Sequence, residues 1–346
     1  MRIYKTPENV REEEVSFNSA DGWTLKGTLC YPITPKPESG FPIIAIAQGT
    51  GRSDRDGNKL PKFVSEIYSR QAHFFASIGV ASIRWDKRAT NASNVAPPGY
   101  SGEKDLWMSV GVEELIWDIV AAIKYSISLP SIDSASVLIS GHSESSIFMG
   151  KIYEASQKAD IPIKASIMLC GFGENGLSAI KKQEAKEVHD LESGTLLDHY
   201  FKLPLMKAVN LWVDDVKELC EDPKLAHKDT HKHLGLIPIS LKWFRGHFNI
   251  DLVEDYKFVN SPALIIGGGK DIQIDSSLCT EENAKKFLVN CPHVEVAVIP
   301  NMTHMLRDSD HAEFSSKTYM KVMLEEMKKP LSPELLRVIS EFVQSL

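Results

Sequence analysis

The sequence predicts an α/β architecture, a mostly parallel central sheet flanked by helices, and three observations predict it. Short apolar runs recur along the chain, helical periodicity fills the intervals, and a hairpin pattern stands near the N-terminal end. The runs are Ile43 to Ala47, Val80 to Trp85, Val137 to Ser140, Ala165 to Cys170, Ala263 to Ile266 and Val294 to Ile299. Apolar residues on both faces of a strand suit a parallel sheet covered by helices on each side.

The elements follow in chain order. Val15 to Tyr31 alternates around the turn Ala20-Asp21-Gly22 and is expected to form an antiparallel edge. The clearest helix is Val112 to Ile127, with Val112, Leu115, Ile116, Ile119, Ile123 and Ile127 on one face. The last helix starts at Ser332-Pro333, a capping serine before the residue best suited to the first helical position, and continues through Leu335, Ile339, Phe342 and Leu346. Glu174 to Ser240 breaks the rhythm: it lacks strand runs, is rich in Lys, Glu, Asp and His, and carries scattered helical periodicity. A structureless loop of that length is uncommon. Residues 174–240 are therefore expected to form a helical cap insertion on a core made of residues 1–173 and 241–346.

A chain of 346 residues accommodates two units of ordinary size or one large core with one insertion. With 43% apolar and 25% charged residues it can bury a substantial core, which argues against global disorder. Lys and Arg number 39 against 46 Asp and Glu, a formal charge of −7 with no basic stripe, so nucleic acid is not an expected partner. Met1 to Glu14 is polar where a secretory signal needs an apolar stretch, and nowhere do about 18 apolar residues run together. No membrane span and a cytoplasmic location are expected. Cys30, Cys170, Cys220, Cys279 and Cys291 are odd in number and lack metal-type spacing, as suits free thiols in a reducing compartment. Asn91-Ala92-Ser93 and Asn301-Met302-Thr303 match the glycosylation pattern, which has no consequence without export.

The sharpest local pattern is Val137 to Ser140 running into Gly141-His142-Ser143-Glu144-Ser145, a buried strand followed by G-x-S-x-small and helix-compatible residues. This is the nucleophile-elbow pattern, in which a tight strand-to-helix turn lifts the serine hydroxyl above the sheet. Ser145 stands where glycine is usual. A serine hydroxyl needs a base to take its proton, and the base needs an acid to fix its tautomer. Where the elbow occurs, acid and base follow the serine in the order Asp, His, on loops after later strands. Asp271 lies just beyond Ala263 to Ile266 and the turn Gly267-Gly268-Gly269-Lys270, and His304 follows Val294 to Ile299 through Pro300-Asn301-Met302-Thr303. Asp275 is the alternative acid, and the position directly after a buried strand favours Asp271. His142 lies in the elbow, with its side chain expected to point elsewhere.

Acyl transfer also needs backbone donors aimed at the developing oxyanion. One is expected from Glu144, the residue after the nucleophile, and one from Gln48-Gly49-Thr50-Gly51, the loop after Ile43 to Ala47. Thr50 is the first choice for the second donor and Gly49 the next; an ordinary Gly-rich turn is the competing reading.

Gln48-Gly49-Thr50-Gly51, Asp54-Arg55-Asp56-Gly57-Asn58, Trp85-Asp86-Lys87-Arg88, Gly141-His142-Ser143-Glu144 and Gly269-Lys270-Asp271-Ile272-Gln273 together resemble the motif set of bacterial α/β-hydrolase carboxylesterases related to the serine aminopeptidases. The likeness extends to Trp243-Phe244-Arg245 and the terminal Ser332-Pro333-Glu334 helix, and so covers most of the chain outside the insertion. Relatives usually carry His at the place of Gln48 and glycines at those of Ser145 and Ser146. The resemblance implies the α/β-hydrolase fold, esterase activity on short acyl chains and no metal or organic cofactor.

His227, His231 and His233 cluster in the insertion, but lysines surround them and the glutamate of a zinc-protease motif is missing, so a solvated surface is expected rather than a metal site. Gly267 to Lys270 lacks the spacing of a phosphate loop. The leading reading is a serine carboxylesterase acting on a small-molecule acyl substrate. A peptidase or thioesterase with the same triad stays open, as does a catalytically silent hydrolase-fold binding protein, because a fold alone does not fix a function.

Overall fold

Two antiparallel strands, β1 (Val10–Asn18) and β2 (Thr24–Pro32), meet at a turn where Gly22 takes φ 90°, a conformation that glycine adopts without strain. They form the edge expected from the alternation of Val15 to Tyr31. The computed structural model describes residues 4–59, 63–90, 94–97, 106–193, 195, 200, 202–209, 212–311 and 322–346. The Asn91-Ala92-Ser93 pattern lies outside them.

The other strands of the main sheet are β3 (Phe41–Ala47), β4 (Ala81–Trp85), β5 (Ile132–His142), β6 (Ala165–Leu169), β9 (Ala263–Gly268) and β10 (Val294–Ile299). Each coincides with one of the apolar runs. The sheet has eight strands in the order β1-β2-β4-β3-β5-β6-β9-β10, antiparallel at β1–β2 and β2–β4 and parallel elsewhere. Successive side chains of a strand point to opposite faces. Ile43 and Ala45 accordingly pack with Ile116, Ile119 and Ile123 of α2 (Val112–Ile127). Ile44 and Ile46 join Ile67 and Phe75 of α1 (Ile67–Ser77) and Leu335, Ile339 and Phe342 of the C-terminal helix (Pro333–Gln344). Strand β10, read as buried from its apolar run, is only half-buried because it closes the sheet at an edge.

The chain leaves the sheet after β6 and returns at β9. Between them come α5 (Gly176–Glu192), α6 (Leu203–Val209), α7 (Val213–Glu221), α8 (Leu241–Phe248) and α9 (Leu252–Asp255). The segment also contains a two-stranded hairpin, β7 (Thr230–His233) with β8 (Ile237–Ser240), where only helices were expected. These strands are short and largely exposed, β7 is polar throughout, and Pro238 interrupts the apolar stretch from Leu234 to Ile239, where it reads against a strand. The hairpin takes His231 and His233 out of helical spacing. Val216, Leu225, Ile239 and Leu241 form a small separate core, with Phe244 packed against it, so α8 is packed with the insertion. No described helix is long and apolar enough to cross a membrane, and the five cysteines are unpaired.

Candidate active site

Parallel strands end on one edge of a sheet, so the loops after β3, β4, β5, β9 and β10 converge there. Strand β5 runs to His142 and the short helix α3 (Glu144–Ile147), followed by α4 (Met149–Lys158), begins one residue after Ser143, which holds the turn at φ 56° and ψ −117°. A side-chain-bearing residue at positive φ is strained and persists only where its surroundings fix it. The Ser143 N–H donates to the Leu169 carbonyl at 2.8 Å, and the Ser143 carbonyl accepts from the Ser146 N–H at 2.9 Å. Two glycines leave the space the turn needs: a Cβ at Gly171 would lie 2.3 Å from the Ser143 carbonyl oxygen, and one at Gly141 would lie 2.9 Å from that of Ser145.

The predicted serine, histidine and aspartate meet in one line. His304 Nε2 lies 3.0 Å from Ser143 Oγ, and His304 Nδ1 lies 2.7 Å from Asp271 Oδ2. The other oxygen of Asp271 accepts the N–H groups of Gln273 at 2.8 Å and Ile274 at 3.1 Å, which fixes the carboxylate in its loop. Asp275 does something else: its Oδ1 accepts the N–H of Ser277 at 3.0 Å and the hydroxyl of Ser277 at 2.6 Å, so it caps a short turn of helix.

The two oxyanion-site residues named first, Thr50 and Glu144, flank Ser143 along the cavity wall and the elbow. Among the described residues nothing accepts from either backbone N–H. Gly49 differs, since its N–H donates to the Tyr68 hydroxyl at 2.7 Å.

That bond opens a chain which sequence reasoning missed. The Tyr68 hydroxyl lies 3.1 Å from His142 Nδ1, and His142 Nε2 lies 2.9 Å from the His304 carbonyl oxygen. A carbonyl only accepts, so Nε2 carries the proton, Nδ1 accepts from Tyr68, and Tyr68 accepts from Gly49. Burial, with His304 adding to it, pushes the His142 pKa down to about 3. The neutral ring thus links the loop of Gly49, through Tyr68, to the backbone of His304.

A second buried network was also missed. The Glu144 side chain, 1% exposed, sits 3.4 Å from Lys87 Nζ and accepts from Trp243 Nε1 at 2.7 Å and His247 Nε2 at 3.0 Å. Burial opposes its ionisation, but Lys87, His247 and Trp243 outweigh burial and hold its pKa down to about 2. Burial lowers the pKa of Lys87 in turn, and Glu144 opposes that shift. The run Asp86-Lys87-Arg88, three ionisable residues in a row after a buried strand, was a hint in the sequence.

Two of the three departures from the usual motif, Gln48 and Ser145, touch each other. Ser145 donates its hydroxyl to the backbone carbonyl of Gln48, while the Gln48 side-chain amide donates to the Trp85 carbonyl and accepts the Ser53 hydroxyl. Beneath Asp271, burial and the nearby carboxylate push the Cys170 thiol well above its ordinary pKa, so it stays protonated.

Ser143 and His304 face a cavity of about 590 Å³ that Thr50, Phe63 and Met305 also line. Gln183 of α5 lines it too and donates from Nε2 to the Gln273 carbonyl at 2.9 Å, which ties the insertion to the loop of Asp271.

Neither a protein-family profile nor a curated protein matches the sequence. Solved structures do match in shape. Est1E from Butyrivibrio proteoclasticus has a TM-score of 0.53 at 18% identity, over 96% of this chain and 98% of that one. The Pyrococcus furiosus esterase Pf2001 has a TM-score of 0.52 at 13% identity, over 100% and 97%. Brefeldin A esterase, described as a bacterial homologue of human hormone sensitive lipase, has 0.52 at 12%, over 99% and 78%. The chain has the α/β-hydrolase fold. Within the α/β-hydrolase fold, an eight-stranded sheet with its parallel strand ends gathered at one edge is the frame that brings Ser143, Asp271 and His304 together.

Proposed function

We propose that the protein is a serine hydrolase that cleaves carboxylic ester bonds through an acyl-enzyme intermediate. The observation that carries this reading is the unbroken hydrogen-bonded line from Ser143 Oγ through His304 to Asp271, beside two backbone N–H groups that meet no acceptor among the described residues. Similarity in fold to proteins named as esterases supports an ester over other acyl substrates.

His304 Nε2 takes the Ser143 proton as Oγ attacks the ester carbonyl carbon, and Asp271 holds Nδ1 protonated and orients the ring. The amides of Thr50 and Glu144 receive the oxygen that becomes negative. His304 returns the proton to the leaving alcohol, which departs and leaves the acyl group on Ser143. Water, deprotonated by His304, then attacks that acyl group, and Ser143 recovers its proton as the acid leaves. Preorganised donors of this kind favour the tetrahedral state over the flat ester, which is how they lower the barrier.

The insertion acts as a cap over this site. It walls the cavity through Gln183 of α5, and its packed unit reaches through α8, whose Trp243 touches Glu144. The test is a panel of matched esters, thioesters and anilides against the native protein and Ser143→Ala. Turnover of esters that disappears with Ser143 supports the reading; turnover confined to amides, or persisting in Ser143→Ala, contradicts it.

A further inference from the structure

Lys87 follows β4 and is 4% exposed, yet the reaction outlined above gives it no task. Its Nζ donates to the Gly49 carbonyl oxygen at 2.5 Å and lies 3.4 Å from Glu144 Oε2. The peptide bond is planar and trans, so the Gly49 carbonyl and the Thr50 N–H are opposite ends of one rigid unit. An ammonium that fixes the carbonyl end also fixes the direction of the N–H end. The same ammonium engages the side chain of Glu144, whose own N–H is the other donor, and Trp243 and His247 hold that carboxylate from α8. One buried charge therefore touches the far end of the peptide unit that carries one donor and the side chain of the residue that carries the other. Stability alone accounts poorly for it, because a buried ion pair loses in desolvation much of what it gains in attraction.

We propose that Lys87 is a positioning residue for the oxyanion site, holding the Gly49–Thr50 peptide so that its N–H points at the carbonyl oxygen of the bound ester. The proposal rests on the serine-hydrolase reading. Donation to the carbonyl also polarises the peptide, and chained hydrogen bonds strengthen one another, so the Thr50 N–H becomes a better donor as well as a better aimed one. Its benefit is greatest when the oxygen carries full negative charge, and so it falls on kcat rather than on KM.

The experiment measures kcat and KM on one ester, and inhibition by an alkylboronic acid, whose serine adduct places a tetrahedral oxygen in the oxyanion site. It uses the native protein, Lys87→Met, and the double variant Lys87→Met/Glu144→Gln, which leaves no unpaired buried charge and so guards against loss of folding. Loss of aim at one donor is expected to lower kcat about 10- to 100-fold, less than or equal to the cost of deleting an oxyanion donor. Boronate affinity should fall by the same factor, with KM within about twofold, and the double variant should not recover. Recovery of native kcat in the double variant, or a rise in KM at constant kcat, overturns the proposal. A native protein without Ser143-dependent turnover instead overturns the serine-hydrolase reading, and the Ser143→Ala control separates that failure from this one.

Discussion

Ser145 donates its hydroxyl to the backbone carbonyl of Gln48, so the residue two beyond the elbow serine is tied to the loop that carries Thr50. The usual glycine has no hydroxyl to offer here. Both residues are buried, at 2% and 3% exposure, so bulk water has little access to the bond. Ser145→Ala is expected to cost about 1–2 kcal/mol in unfolding free energy, the price of a buried carbonyl left without a donor. Urea unfolding measures it; an unchanged midpoint and slope would show that the bond contributes nothing net.

The two candidate acids make opposite demands on a variant. Asp271→Asn should stay folded and lose several orders of magnitude in kcat, because the amide no longer holds His304 in its working tautomer. Asp275→Asn keeps a side-chain oxygen to cap its exposed turn and should change kcat by less than about twofold, with less than about 1 kcal/mol of stability lost. Steady-state kinetics on the two variants rank them, and the reverse ranking would move the acid to Asp275.

His142 imposes a pH dependence on stability. Its folded pKa of about 3 lies below the ordinary value of 6.5, so between these values the unfolded chain binds a proton that the folded one does not. The stability it contributes is complete above pH 6.5 and is lost as pH falls towards 3. From pH 7 to pH 4.5 the loss from this one group amounts to about 3 kcal/mol. His142→Gln should therefore show a shallower acid fall in unfolding free energy than the native protein. Parallel curves for the two proteins would show that the ring is not held neutral.

Much of this site is legible in the sequence because its signals are local. The apolar runs mark strands, and Ser143, Asp271 and His304 each stand a few residues past the end of one. Parallel strand ends share an edge, so position along each run already implies proximity in space. What stays hidden is pairing across the sheet. Lys87 and Glu144 are 57 residues apart, and Tyr68 and His142 are 74 apart, so no periodicity joins them. They meet because the sheet order sets β3 between β4 and β5. The hairpin of Thr230–His233 and Ile237–Ser240 escaped for a different reason, since its first strand is polar throughout and Pro238 within the second argues against a strand.

The reaction of the native protein with a fluorophosphonate, followed by peptide mass spectrometry, bears most directly on Ser143 as the nucleophile. Such a probe is attacked only by a serine activated by its base, and the adduct identifies the residue. Ser143 should carry one phosphonyl group, and Ser143→Ala should lose labelling together with about 10⁴- to 10⁶-fold in kcat. Label on another residue, or folded native protein that stays unlabelled, would contradict the account.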